Sequence, residues 1–177
     1  MKYFYCLLVA CMAFSFSPAQ STTPDSTSES AHLVSAAQKM GQLFIDKKYA
    51  EYIKYVHPKI IKMIGGPDKM VETLKKSIKQ TEDEGFTFNN VTFGAPSKII
   101  HTNVDLQAVV PQIIELKAKN GRLVSTSYLL AISNDKGKGW SFVDSSNKTL
   151  EQLKSVLPSL SNDLVIPKRN QPVFYND

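Results

Sequence analysis

Cysteine is scarce in this chain: there are two, Cys6 and Cys11, and both fall within the opening stretch MKYFYCLLVACMAFSFSPAQ. That stretch joins one positive charge, Lys2, to an apolar and aromatic run from Tyr3 to Phe16, and it closes on Ser17-Pro18-Ala19. A short cationic start, an apolar run too short to span a bilayer and small residues before a cut mark a cleaved export signal. Residues 1–19 are therefore expected to be removed near Ala19, which places the protein in the periplasm or outside the cell. The alternative is a lipobox, Leu8-Val9-Ala10-Cys11, with a lipid anchor on Cys11. Met12, Ala13, Phe14 and Phe16 continue the apolar run past that cysteine and favour plain export.

Cleavage at Ala19 leaves no cysteine. That excludes a disulfide framework, a thiolate zinc site, an iron–sulfur cluster and a cysteine nucleophile, and leaves the core to hold the domain together. Long apolar runs are also missing beyond the signal, so no transmembrane segment is expected. Blocks of like charge are absent too. The formal charge of +5 falls by one when Lys2 leaves, and Lys47-Lys48, Lys75-Lys76, Lys117, Lys119 and Lys168-Arg169 are interleaved with Glu51, Glu72, Glu82 and Glu115. A nucleic-acid surface needs a contiguous basic patch with stacking aromatics, so these charges read as a solvated surface. The three histidines, His32, His57 and His101, have no ligand-like spacing, and Gly65-Gly66 lacks the Lys-Ser/Thr of a phosphate loop. No metal and no cofactor is expected.

What is present falls into two halves. Residues 20–30, rich in Ser and Thr, read as a flexible spacer with nothing to bury. Leu33, Ala36, Ala37, Met40 and Phe44 then form one helical stripe. Tyr49, Tyr52, Ile53 and Val56 form a second, and Met70, Val71, Leu74 and Ile78 a third, after the helix stop and restart at Gly65-Gly66-Pro67-Asp68. The rear half changes to period two. GFTFNNVTF and SKIIHTN are strand candidates, VDLQAVVPQIIELKA and RLVSTSYLLAIS are two long strands hinged at Asn120-Gly121, and KGWSFVD is a further strand before the closing helix TLEQLKSVLP.

Helices first and a meander afterwards imply an α+β domain over residues 31–158, with the helices in the concave face of a curved antiparallel sheet of four to five strands and a tail over 159–177. Val109-Val110 and Ile113-Ile114 are apolar on both faces of the third strand, so the second face is expected to be covered by a partner subunit or by the tail. Pro111 cannot donate to a ladder, which predicts a bulge or an unpaired edge beside it.

This order of elements, with FIDKKYAEYIKYVHPKII in the helical half and KGWSFVD at the end of the sheet, resembles the nuclear transport factor 2-like superfamily. That is the cystatin-like roll shared by SnoaL-like polyketide cyclases and ketosteroid isomerases. The resemblance implies a cone-shaped pocket between helices and sheet, and a homodimer formed through the sheet. Because the superfamily holds enzymes, binding modules and adaptors, fold alone does not assign an activity.

His57 precedes Pro58, which disfavours helical geometry before it, so it belongs at a helix joint, where its imidazole caps or packs. Its other role would be a general base at the pocket mouth. Trp140, Phe142 and Asp144 alternate on one strand face, which makes Asp144 either the start of a turn or a proton shuttle inside the cone. Tyr128 shares a face with Val124, Leu130 and Ile132 and reads as a core tyrosine. Ser125 and Ser127 lie opposite it without the surroundings of a nucleophilic serine. The expected pocket is thus Tyr55, His57, Tyr128, Trp140 and Asp144. It would serve a non-catalytic domain that takes a small apolar ligand or acts as a dimeric interaction module. The enzymatic alternative is an isomerase, dehydratase or cyclase with His57 and Asp144 as its acid/base pair and Tyr128 or Tyr55 orienting the substrate.

Overall fold

A computed structural model describes residues 26–176. The expected export signal over residues 1–19, both cysteines and residues 20–25 of the spacer lie outside the described residues. The elements are α1 (Ser26–Ile45), α2 (Tyr49–Tyr52), a 3-10 turn (Ile53–Tyr55), α3 (Pro58–Ile64), α4 (Pro67–Asp83), β1 (Thr87–Phe93), β2 (Ile100–His101), β3 (Leu106–Ala118), β4 (Gly121–Ser133), β5 (Ser141–Asp144), α5 (Leu150–Val156) and β6 (Val173–Asn176). The fold is α+β, with helices leading into a curved antiparallel sheet. The sheet has six strands, the sixth coming from the tail. Among the described residues no helix is long and apolar enough to cross a membrane.

The long hairpin β3–β4 is the spine, paired without a slip from Leu106↔Ser133 to Ala118↔Gly121. Its turn is Lys119-Asn120, neither at positive φ, so it sits one residue ahead of the Asn-Gly pair that marks it. Gly121, at φ +148°, is needed because a Cβ there would collide with the Tyr175 carbonyl of β6. Each outer column of the sheet is split. β1 and β2 share the free edge of β3, and β6 and β5 share that of β4, covering Gly121–Val124 and Leu129–Ile132. Pro111 falls in the first split: Gly94 N–H donates to its carbonyl at 3.0 Å and Ser97 N–H to that of Val109 at 2.8 Å. No strand pairs with Pro111 on that edge, but N–H groups of the segment between β1 and β2 bond to it, so the edge is not left open. The bulge lies elsewhere, in β1 between Phe88 and Asn90.

Period two divides the side chains into two cores. Ala108, Val110, Leu129, Ala131 and Phe142 pack on Leu33, Ala37 and Met40 of α1. Val109, Leu130, Ile132 and Val143 pack on Leu153 of α5 and on Leu157, Leu160 and Leu164 beyond it. The second face is thus covered by the closing helix and the first part of the tail. A capping box at Thr149 and Gln152 starts α5, a device that contributes about 1 kcal/mol.

The helix α1 starts at Ser26, so the last five residues of the segment read as spacer, Ser26 to Ser30, are helical. No apolar stripe marks that turn. Glu29 sits in it, where a carboxylate interacts favourably with the helix dipole, and it is buried. The second stripe is helical only in part, because α2 tightens into the 3-10 turn and Val56 is already extended and bridges Phe142. His57 is the joint: its N–H donates to the Phe142 carbonyl at 2.9 Å, and Pro58 opens α3. The Gly-Gly-Pro break behaves as read, with Gly65 in the left-handed region closing α3 and Pro67 opening α4.

Candidate functional site

Between the helices and the concave face of the sheet lies an open cavity of about 270 Å³. Its apolar wall comes from Met40, Val56, Ile60, Ile114, Leu129 and Phe142, and its polar groups from Tyr52, Gln112, Ser127, Asp144, Ser146 and Arg169. Strand parity explains the division. The helix-facing residues of β4 run Ala131, Leu129, Ser127, Ser125, and those of β3 run Ala108, Val110, Gln112, Ile114. Gln112, Ser125 and Ser127 thus form a polar patch within an otherwise aliphatic face.

The polar groups are held but not saturated. Ser127 and Gln112 are register partners, and the Ser127 hydroxyl donates to Gln112 Oε1 at 3.1 Å. Arg169 reaches the site from the tail beside the gap that β5 and β6 leave along β4, and its Nη2 donates to Ser125 Oγ at 2.9 Å. Asp144 starts a turn, with Oδ1 accepting from Ser146 N–H at 2.9 Å. The Ser146 hydroxyl is buried with no partner among the described residues. Burial first, and the Asp144 charge second, push the Tyr52 phenol up to about 12, so it remains a hydrogen-bond donor at neutral pH.

Of the five residues expected in the pocket, Asp144 lines this cavity and the other four do not. Tyr55 is half-buried against the helix-side core. Trp140 is 5% exposed inside that core, its indole N–H without a partner among the described residues. Tyr128 is on the opposite face, packed against the α5-side core, because its parity is that of Leu130 and Ile132. His57 serves the joint: Nδ1 accepts from Lys59 N–H at 3.2 Å as the N-cap of α3. Burial, then the Lys59 charge, lower its pKa against a smaller opposing effect of Asp105, which favours the neutral ring that this cap requires. The structure does not bring His57 and Asp144 onto one cavity.

Tyr52, Gln112, Ser127, Ser146 and Arg169 are the polar lining residues that sequence reasoning missed as pocket groups. A signal existed for two of them. Ser127 interrupts the aliphatic parity of β4, and Gln112 does the same in VVPQII of β3, so the same face carries polar groups on neighbouring strands. Nothing in the local sequence ties Arg169 to either.

Chemically, the cavity offers one carboxylate, one guanidinium, an amide, hydroxyls and a phenol that stays protonated. These can orient and polarise a ligand. Among the described residues no imidazole lines the cavity, and no serine in it is bonded to a base. No family model matches the chain, and no curated protein or solved structure matches it.

Proposed function

We propose that the protein is an exported, non-catalytic binding domain of the nuclear transport factor 2-like kind, holding a small apolar ligand with one polar end in its cone. The observation that carries this reading is an open cavity with apolar walls, a cluster of unsaturated donors and, among the described residues, no histidine beside Asp144. Catalysis by the pair His57 and Asp144 would need both on that cavity. An adaptor would fill the cone and bare an apolar outer sheet, whereas here Leu153, Leu157, Leu160 and Leu164 pack on that face.

The ligand's apolar part would lie on Met40, Leu129 and Phe142. Its polar end would meet Tyr52, the free Nε2 of Gln112 and Arg169, all of which donate. Native mass spectrometry of the purified protein tests this directly. A retained small molecule, or saturable uptake of a fluorescent naphthylamine probe, is expected. Ser127→Leu should weaken probe binding at least tenfold while the melting temperature stays within a few degrees, because the leucine fills the cavity. Empty protein that takes up no apolar probe, or uptake unaffected by Ser127→Leu, sinks the reading. A dimer seen in the same spectrum would restore the interaction-module alternative.

A further inference from the structure

Arg169 and Asp144 are the two charged groups that line the first cavity among the described residues, and they form no ion pair with each other. Strand register separates them. Arg169 Nη2 is bonded to Ser125, whereas Asp144 is the register partner of Leu129, four residues or about 13 Å along β4. Between those levels lies Gln112, the partner of Ser127. The Ser127 hydroxyl holds Gln112 Oε1, which leaves Nε2 as a donor with no partner among the described residues. The guanidinium is no better served: one N–H of its fork bonds to Ser125, and no carboxylate among the described residues pairs with it. Arg169 is exposed, and a second pocket, lined by Lys148, Leu150 and Lys168, shares it alone with the first, so it stands at the rim of both.

We propose that the ligand of the first cavity is an apolar carboxylic acid in its ionised form, with Arg169 as counter-ion of its head group, an assignment that rests on that cavity being the ligand site. A guanidinium presents paired N–H groups that match the two oxygens of a carboxylate, and Gln112 Nε2 adds a donor from the neighbouring strand. Its place at the rim keeps part of the head group in water, so the pair escapes the cost of full burial. The body of the acid would lie on Leu129 and Phe142. An ammonium head brings donors to a site already rich in them, and Arg169 repels it. A doubly charged phosphate fits less well, because Asp144 lines the same cavity and leaves it no net positive charge.

Displacement of a neutral naphthylamine probe from the full-length protein at pH 7.5 tests the proposal, with octanoate, octanol, octylamine and octyl phosphate as competitors of one chain length. Octanoate is expected to displace the probe at least tenfold more tightly than octanol or octylamine. Arg169→Gln should reduce that preference to less than twofold. Lys168→Gln, which removes a neighbouring cation outside the first cavity, should leave it unchanged. The preference shown by the unmutated protein decides the matter should Arg169→Gln fail to fold. A probe that binds but yields equally to octanoate and octanol overturns the carboxylate while the cavity remains a ligand site; a probe that does not bind overturns both. Tighter binding of octylamine or octyl phosphate also overturns the proposal. So does a preference that survives Arg169→Gln, or one that falls as far in Lys168→Gln, which would make it an effect of general surface charge.

Discussion

The side chain of Gln107, fully buried, accepts a 2.9 Å hydrogen bond from the backbone N–H of Ser161, 54 residues further along the chain. Its Nε2 donates to the Ser159 carbonyl at 3.0 Å and to Asp105 Oδ1 at 2.7 Å. One amide thus does for the segment after α5 what a strand would do. It satisfies backbone groups that Leu157, Leu160 and Leu164 draw against the sheet.

Removing it takes a donor from the buried Asp105 carboxylate and unties the Ser159 and Ser161 backbone groups, and a buried carboxylate short of a donor costs more than the bonds themselves contribute. Gln107→Leu, close in volume, is expected to destabilise the protein by about 3 kcal/mol, moving its urea midpoint down by on the order of 1 M. A shift under about 0.5 M would mean that water replaces the amide and that the outer layer is not held this way.

At the first cavity, Tyr52 carries a pH signature. Its phenol is buried, and its folded pKa of about 12 lies above the ordinary 10.0. A raised acid pKa means that the fold favours the neutral phenol. That contribution is complete below pH 10 and is lost as pH climbs from 10 through about 12. It is at most about 2–3 kcal/mol, two pH units' worth. Absorbance at alkaline pH should show one tyrosine ionising about two units late. Tyr52→Phe should abolish that phase. Asp144→Asn should bring it down without restoring the ordinary value, since burial is the larger cause. A phase unmoved by Asp144→Asn would place the carboxylate away from the phenol and open the polar end of the cavity.

How much of this was legible beforehand follows from which interactions are local. The β3–β4 hairpin and the Gly65-Gly66-Pro67 break are set by neighbouring residues, and the break is where turn chemistry puts it while the hairpin turn falls one residue ahead of its Asn-Gly pair. The parity of β4 also placed Ser125 and Ser127 opposite Tyr128. Which face would look into the cavity was not legible, because that depends on where α1 and α5 dock. From the sequence Tyr128 therefore reads as a pocket residue, and Ser127, without a nucleophile's surroundings, does not. Arg169 meets Ser125 across 44 residues, and no window of local sequence holds both. The strand Val173–Asn176 is similar: four exposed residues become a strand because β4 offers an open edge at Gly121–Val124.

His57 joins two such scales, since the turn it makes is local and its hydrogen bond to Phe142 is not. If the imidazole is a cap, asparagine should replace it, because an Asn side chain also accepts from the N-terminal amides of a helix. His57→Asn is expected to match the unmutated protein in stability at pH 7.5 within a few tenths of a kcal/mol and to bind the apolar probe unchanged. His57→Ala should cost about 1 kcal/mol. Acid separates the first two. The folded pKa of His57 is below the ordinary 6.5, so its neutral form is favoured, a contribution complete above pH 6.5 and lost as pH falls through the folded value. Denaturant midpoints measured from pH 7.5 to 5 should therefore fall more steeply for the unmutated protein than for His57→Asn. Parallel slopes would show that the ring does not titrate as a cap, and loss of probe binding in His57→Asn would put it back at the cavity, beside Asp144, with the enzymatic reading alive again.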